Sequence, residues 1–299
     1  MKRFKNIVTL LSLYDSDAGL LEWTTLLVQL TGASRVTFAH IRAPLDLPEE
    51  IRLKYPWLLG PEERILRQKM GGLLDEYFFA HGVTVETRLL LGNPLGEAIA
   101  LLESNDADLV IAGCSSTDSI FVEKLARKAP CSILAVPEGS LKACPRILAG
   151  IDFSNFSSAG LDVGAAFAAA AGVPLTLFHA HCPVVPNNLV NELITQYPSN
   201  VRAYYLQQLS ILGQPLSTRG VALEYAVVEA RRAAAALADY ALQGGYGLVT
   251  IGCRGRNAIY ATLLGSTAEA IFRICKIPVL AIKNKGSART LLEHMRHEN

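Results

Sequence analysis

The chain alternates short apolar runs with longer segments of helical composition, and it does so twice. In the second half, Arg146 to Ile151, Leu175 to Ala180, Val221 to Val228, Leu248 to Gly252 and Pro278 to Ile282 read as strands. Between them Ser157 to Ala171, Val201 to Leu212, Arg231 to Leu242 and Thr267 to Cys275 read as helices. Continuous apolar strands separated by helices predict a parallel sheet covered on both faces. Right-handed crossovers make that a doubly wound, open α/β fold. The first half follows the same order. The long segments after the second strand of each half, Ala43 to Pro61 and Cys182 to Asn200, read as lids or packing flaps, or equally as structural filler.

The two halves are copies. Ile7 matches Ile147 at an offset of 140, His40 matches His179 at 139, and Gly113-Cys114 matches Gly252-Cys253 at 139. Beyond Gly-Cys the offset jumps, so that Leu134 matches Leu280 at 146. The second half therefore carries extra residues within Arg254 to Thr267, a segment with Gly255 and Gly265 that leads into a helix. The expected organisation is a first domain over 1–138, a second over 145–285, and a tail over 286–299 in which Leu291, Leu292 and Met295 could share a helical face.

Composition narrows the class. With 299 residues, each half is long enough for its own core. A content of 51% hydrophobic and 18% charged residues is that of a compact globular chain. A net charge of +1 offers no bulk attraction for nucleic acid. The six cysteines show no disulfide or zinc spacing, which suggests reduced thiols and a cytoplasmic setting. Leu161 to Phe178 approaches membrane-span length, but Asp162 and Gly172-Val173-Pro174 divide it into a helix and a strand. No membrane partner is expected.

The chemistry concentrates at Gly252-x-x-Gly255, nine residues, then Gly265-Ser266-Thr267. Gly252 ends a strand, where open α/β sheets bind ligands. Glycines let backbone N–H groups approach phosphate oxygens, and a helix N-terminus favours an anion. Ser266 and Thr267 supply hydroxyls, and Arg254 and Arg256 positive charge. The competing reading is a plain capped helix, since Ser266 with Glu269 fits a capping box. Neither a Walker A loop nor a dinucleotide fingerprint occurs. His179 and His181 alternate on a strand and could converge on a metal. His40 repeats His179 without a further ligand, so no metal site is assigned. No catalytic constellation is legible from spacing.

The Gly-x2-Gly-x9-Gly-Ser signature, followed by a helix and Lys276 to Ile282, resembles the universal stress protein family. So does Ile147 to Ser154 with its Asp-x-Ser turn. The resemblance covers nearly the whole chain in tandem and implies the adenine-nucleotide α-hydrolase-like fold. It also implies ATP, with Mg²⁺, in the second half. There Gly150 and Asp152 would border adenine and ribose, and Ala180 would meet the adenine through its backbone. Ile251, Gly252 and Gly255 would hold ribose and phosphate, and Gly265, Ser266 and Thr267 the phosphates. In the first half Ser12 stands at the Asp position and the loop and Gly-Ser pair are missing, so no ATP is expected there. The resemblance further implies pairing of last strands, Ser132 to Val136 against Val279 to Lys283, as an internal pseudo-dimer, with a further homodimer open. The implied role is a nucleotide-dependent regulator in stress response with a protein partner. The alternatives are a slow ATPase or phosphoryl or nucleotidyl transferase, and a binder of a non-nucleotide small ligand.

Overall fold

The structure is a computed structural model that describes residues 3–44, 48–55, 63–114, 119–140, 144–183, 191–217, 220–253 and 264–283. The first half runs β1 (Asn6–Leu10), α1 (Asp17–Thr31), β2 (Arg35–Arg42), α2 (Glu49–Lys54), α3 (Glu63–Tyr77), β3 (Thr84–Leu91), α4 (Pro94–Ser104), β4 (Leu109–Cys114), α5 (Ser119–Lys128) and β5 (Ser132–Pro137). The second runs β6 (Ile147–Gly150), α6 (Asn155–Ala171), β7 (Leu175–His181), α7 (Asn191–Ser217), β8 (Leu223–Glu229), α8 (Ala233–Gln243), β9 (Leu248–Gly252), α9 (Ser266–Ile274) and β10 (Val279–Ile282).

The two expected sheets form one ten-stranded sheet in the order β3-β2-β1-β4-β5-β10-β9-β6-β7-β8. All pairings within a half are parallel, as the apolar strands predict. The halves meet where β5 and β10 pair antiparallel, Leu134 opposite Leu280, with Val279 opposite Ala135 and Ala281 opposite Ile133. That is the last-strand pairing that the resemblance implies.

Side-chain alternation sorts the core by face rather than by half. Ile7, Leu134, Val136, Ile147, Ala149, Leu280 and Ile282 join one buried cluster with α1 and α6. Val8, Ile133, Ala135, Leu148, Val279 and Ala281 join the other, with α5 and α9. Each cluster spans both halves, and Phe4 stacks on Phe167 across the seam with ring centroids 6.2 Å apart. The repeat is visible in the helix ends. Gly32 and Gly172 close α1 and α6 at φ 60° and 67°, donating to Val28 O and Ala168 O. The left-handed conformation suits glycine.

Among the described residues no helix is long and apolar enough to cross a membrane. The segment over Leu161 to Phe178 is α6, its Gly172 cap and the start of β7, as expected. The two long segments carry helix. Most of the second flap is the start of α7, which begins at Asn191 and runs through Pro198 into the helix expected from Val201. The first contains α2. Residues 45–47, 56–62 and 184–190 and the tail from 284 lie outside the described residues.

Polar contacts tie the seam on one side. Glu123 on α5, with a side chain 9% exposed, meets Arg127 at 3.2 Å and Arg273 of α9 at 2.5 Å. Arg127 meets Glu269 of α9 at 2.7 Å. Both arginines are about half exposed, so their pairs are screened, while the carboxylate is buried between them. Glu123→Ala is expected to lower unfolding stability by about 1–2 kcal/mol. Arg127→Ala leaves the Glu123–Arg273 pair intact and should change stability by less than about 1 kcal/mol. Urea unfolding monitored by circular dichroism checks both, and equal losses would refute a central role for Glu123.

Candidate functional site

The carboxyl ends of β6, β7 and β9 and the N-terminal ends of α8 and α9 enclose a cavity of about 130 Å³. It is lined by Gly150, Asp152, Ala180, Ile251, Gly252, Gly265, Ser266 and Thr267, so the residues singled out in sequence converge there. Gly255, Arg254 and Arg256 fall in 254–263, outside the described residues. Sequence reasoning missed the apolar walls, Phe178 from β7 and Leu237 from α8, and also Ala233. Phe178 and Leu237 carry the same apolar signal as any core position, so no local pattern marks them.

The start of α9 departs from the capping-box alternative. Gly265 is the N-cap, at φ −68° and ψ 147°, and no side chain caps the helix. Ser266 is the first helical residue. The Gly265 N–H donates to Cys253 O at 2.9 Å, which holds the helix start against the end of β9. The N-terminus of α8 is likewise without a side-chain cap, its N-cap being Arg232, and Ala233 lines the same cavity. In the first half the corresponding Asn93 does cap α4, its Oδ1 accepting from Gly96 N at 3.0 Å. Two helix ends with free N–H groups and positive dipole ends therefore face one small space.

The turn after β6 is built by Asp152. Its Oδ1 accepts from Ser154 N at 3.0 Å and from Ser154 Oγ at 2.6 Å. Ser154 in turn caps α6 by accepting from Ser157 N at 3.2 Å. Phe153 sits at φ 60° inside this turn. The first half makes the same turn with its polar groups exchanged. Ser12 replaces Asp152, Leu13 stands at φ 62°, and Asp17 occupies the position of Ser157. The buried Asp17 carboxylate accepts from Ser12 N at 3.2 Å, Ser12 Oγ at 2.9 Å and Leu13 N at 2.7 Å. Burial pushes the Asp17 carboxyl up, and these hydrogen bonds from Ser12 and Leu13 pull it back.

His179 has a structural partner. Its Nδ1 lies 2.7 Å from Ile151 O, and His40 Nδ1 lies 2.9 Å from Leu11 O. A carbonyl only accepts, so each ring carries its proton on Nδ1 and clamps the turn beyond the first strand of its half. Cys253 is buried, 3% exposed, directly after the strand end.

Gly252 is also required by packing. A Cβ there would collide with the carbonyl oxygen of Phe156, and one on Gly160 would stand 2.8 Å from Ile251 C. Gly160 and Gly252 let α6 lie directly on β9. The repeat partner of Gly160 is Leu20, and a Cβ on Gly113 would meet only Leu20 Cδ1 at 3.5 Å. Gly252→Ala should therefore destabilise the protein by about 1–3 kcal/mol, while Gly113→Ala should stay within about 0.5 kcal/mol. Thermal and urea denaturation of both variants decide it; a silent Gly252→Ala would show that only a ligand demands this glycine.

Residues 144–283 match the family model described as the universal stress protein family. A solved structure of a universal stress protein from Archaeoglobus fulgidus DSM 4304 superposes with a TM-score of 0.62 at 15% identity, covering 94% of this chain and 97% of its own. A functionally unknown protein from Pseudomonas aeruginosa PAO1 superposes with a TM-score of 0.66 at 17% identity, covering 97% of this chain and 96% of its own. At these identities the likeness is one of fold, and it extends over both halves. No curated protein sequence matches this chain.

Proposed function

We start from a chain that belongs to the universal stress protein family through residues 144–283, and we propose that its second half binds ATP with Mg²⁺. The observation that carries this reading is the pair of helix N-termini without side-chain caps, α8 at Ala233 and α9 at Ser266, that line one cavity at the carboxyl ends of the strands. Such ends favour phosphate. The hydroxyls of Ser266 and Thr267 add donors beside them. Phe178, Ala180, Ile251 and Leu237 supply apolar surface for a flat base. Asp152 uses Oδ1 for its turn, and Oδ2 is a carboxylate oxygen suited to accept from a ribose hydroxyl. A whole nucleotide needs more than this cavity, since small-molecule pockets run to about 300–1,000 Å³. The proposed site therefore includes the glycine loop at Gly255.

Binding in one half only follows from the first half's Ser12 and its capped α4. The proposed role is that of a cytoplasmic, nucleotide-dependent regulator in stress response, with occupancy of the second half read by a protein partner. Calorimetric titration of nucleotide-stripped protein with Mg·ATP should give one site per chain at micromolar affinity, about −8 kcal/mol. Gly265→Val is the informative variant. Its backbone at φ −68° and ψ 147° is open to any residue, so folding should be preserved. The added side chain should weaken ATP binding at least about tenfold. Unchanged affinity would remove Gly265 from the site, and no binding by the parent protein would end the nucleotide reading.

A further inference from the structure

The strand ends of the first half enclose a cavity of about 550 Å³ whose described lining includes Asp15, Asp17, Glu22 and Glu138. A different cavity holds a buried donor that no described group satisfies. It measures about 280 Å³ and lies at the seam, between α1 of the first half and the last turn of α6 of the second. Ile147 and Leu248, the first residues of β6 and β9, line it. The candidate nucleotide cavity takes Gly150 and Gly252 from the far ends of the same two strands, and the two cavities share no described lining residue.

The donor is Trp23, which lines this cavity from α1. It is 2% exposed, and its indole Nε1 has no hydrogen-bond partner among the described residues. Buried N–H groups are nearly always paired, so an exception calls for a partner from outside the chain. The repeat partner of Trp23 is Val163, equally buried, so this helix position does not itself require an indole. Water answers the need badly. A buried water takes about two to four polar partners, and the described side chains around this cavity offer only the indole nitrogen and the Cys144 sulfur. The Cys144 thiol donates to Arg146 O at 3.9 Å. Burial pushes that thiol up to about 12, so it stays uncharged. No Asp, Glu, Lys, Arg or His occurs among the described lining residues.

We propose that the seam cavity binds a compact, uncharged, largely apolar molecule with one hydrogen-bond acceptor, of the class of short aliphatic ketones and esters, whose oxygen accepts from the Trp23 indole N–H. Leu27 and Phe167 form a buried floor, while Leu26, Leu30 and Val173 are half-buried and leave a way in from solvent. Burial of the apolar body drives binding, and the single donor fixes its orientation. A lining without charge rejects ions, whose desolvation nothing offsets. The site is independent of the nucleotide reading.

The test uses the full chain and three probes of similar length: 2-octanone, octanoate and octylammonium, titrated at neutral pH by calorimetry. In parallel, nitrogen-15 NMR follows the indole N–H of Trp23 in a Trp57→Phe background, where it is the single tryptophan. 2-Octanone is expected to bind once per chain and to move that resonance downfield, with both charged probes at least about tenfold weaker. Trp23→Phe keeps an apolar ring, removes the donor and should weaken the ketone at least about fivefold. Ala171→Phe should abolish binding, because Ala171 lines the cavity from the exposed end of α6. Its urea midpoint and its Mg·ATP titration should match those of the parent. An indole resonance that does not move, ketone affinity unchanged by Trp23→Phe or by Ala171→Phe, charged probes that bind as tightly, or no ketone binding at millimolar concentration would each overturn the proposal.

Discussion

The antiparallel hydrogen bonding of β5 to β10 is the constraint on which the rest of the molecule depends. Without it each half would end in an edge strand that is apolar along its length, a template for association with other chains. With it the two halves share one sheet, and the pleat delivers alternate side chains to two cores that each cross the seam. The Glu123 cluster and the Phe4–Phe167 stack are consequences of that closure rather than its cause. A half that lost its own ligand chemistry would still be required as the partner strand and as part of both cores.

The symmetric frame leaves the ends of the strands free to diverge. Both halves keep a positive-φ residue after the first strand, a histidine clamp on the preceding carbonyl, and a left-handed glycine at the end of the first helix. Around those fixed points the polar groups have changed places. The second half puts its carboxylate at the strand end and a serine in the helix, and the first half does the reverse. The second half leaves α8 without the side-chain cap that Asn93 gives its counterpart α4 in the first half. One scaffold thus carries two strand-end cavities with different polar linings, because backbone geometry is set by the sheet while the lining is set by a few side chains at its rim.

Much of the fold was legible because it rests on local signals. Apolar runs of strand length, helical segments with glycine stops, and the offset between halves predict the element order, while the partner strands were implied by the family resemblance. The helix α7 was not legible over its first residues, since Pro198 and the polar segment before it argue locally against a helix. Farther along the helix Leu209 and Leu216 are buried in the core. In the candidate site, Gly252 and Gly265 to Thr267 were legible from a spaced motif, and Asp152 through the family resemblance of its turn. Phe178 and Leu237 were not, because an apolar residue at a cavity wall and one in the core look alike in sequence.

By itself the sequence determined the repeat, the parallel halves, and the place where the second half carries extra residues and a Gly-Ser pair that the first lacks. Those follow from periodicity and from residues close in the chain. Only the tertiary structure decided that Gly252 is demanded by the approach of α6, that Gly265 rather than Ser266 is the N-cap, and that the first half encloses the larger and more acidic space. The first of these depends on how closely a helix lies on a strand far away in sequence. That distance is set by pairs of residues such as Gly160 with Gly252 and Leu20 with Gly113, which meet only when the chain is folded.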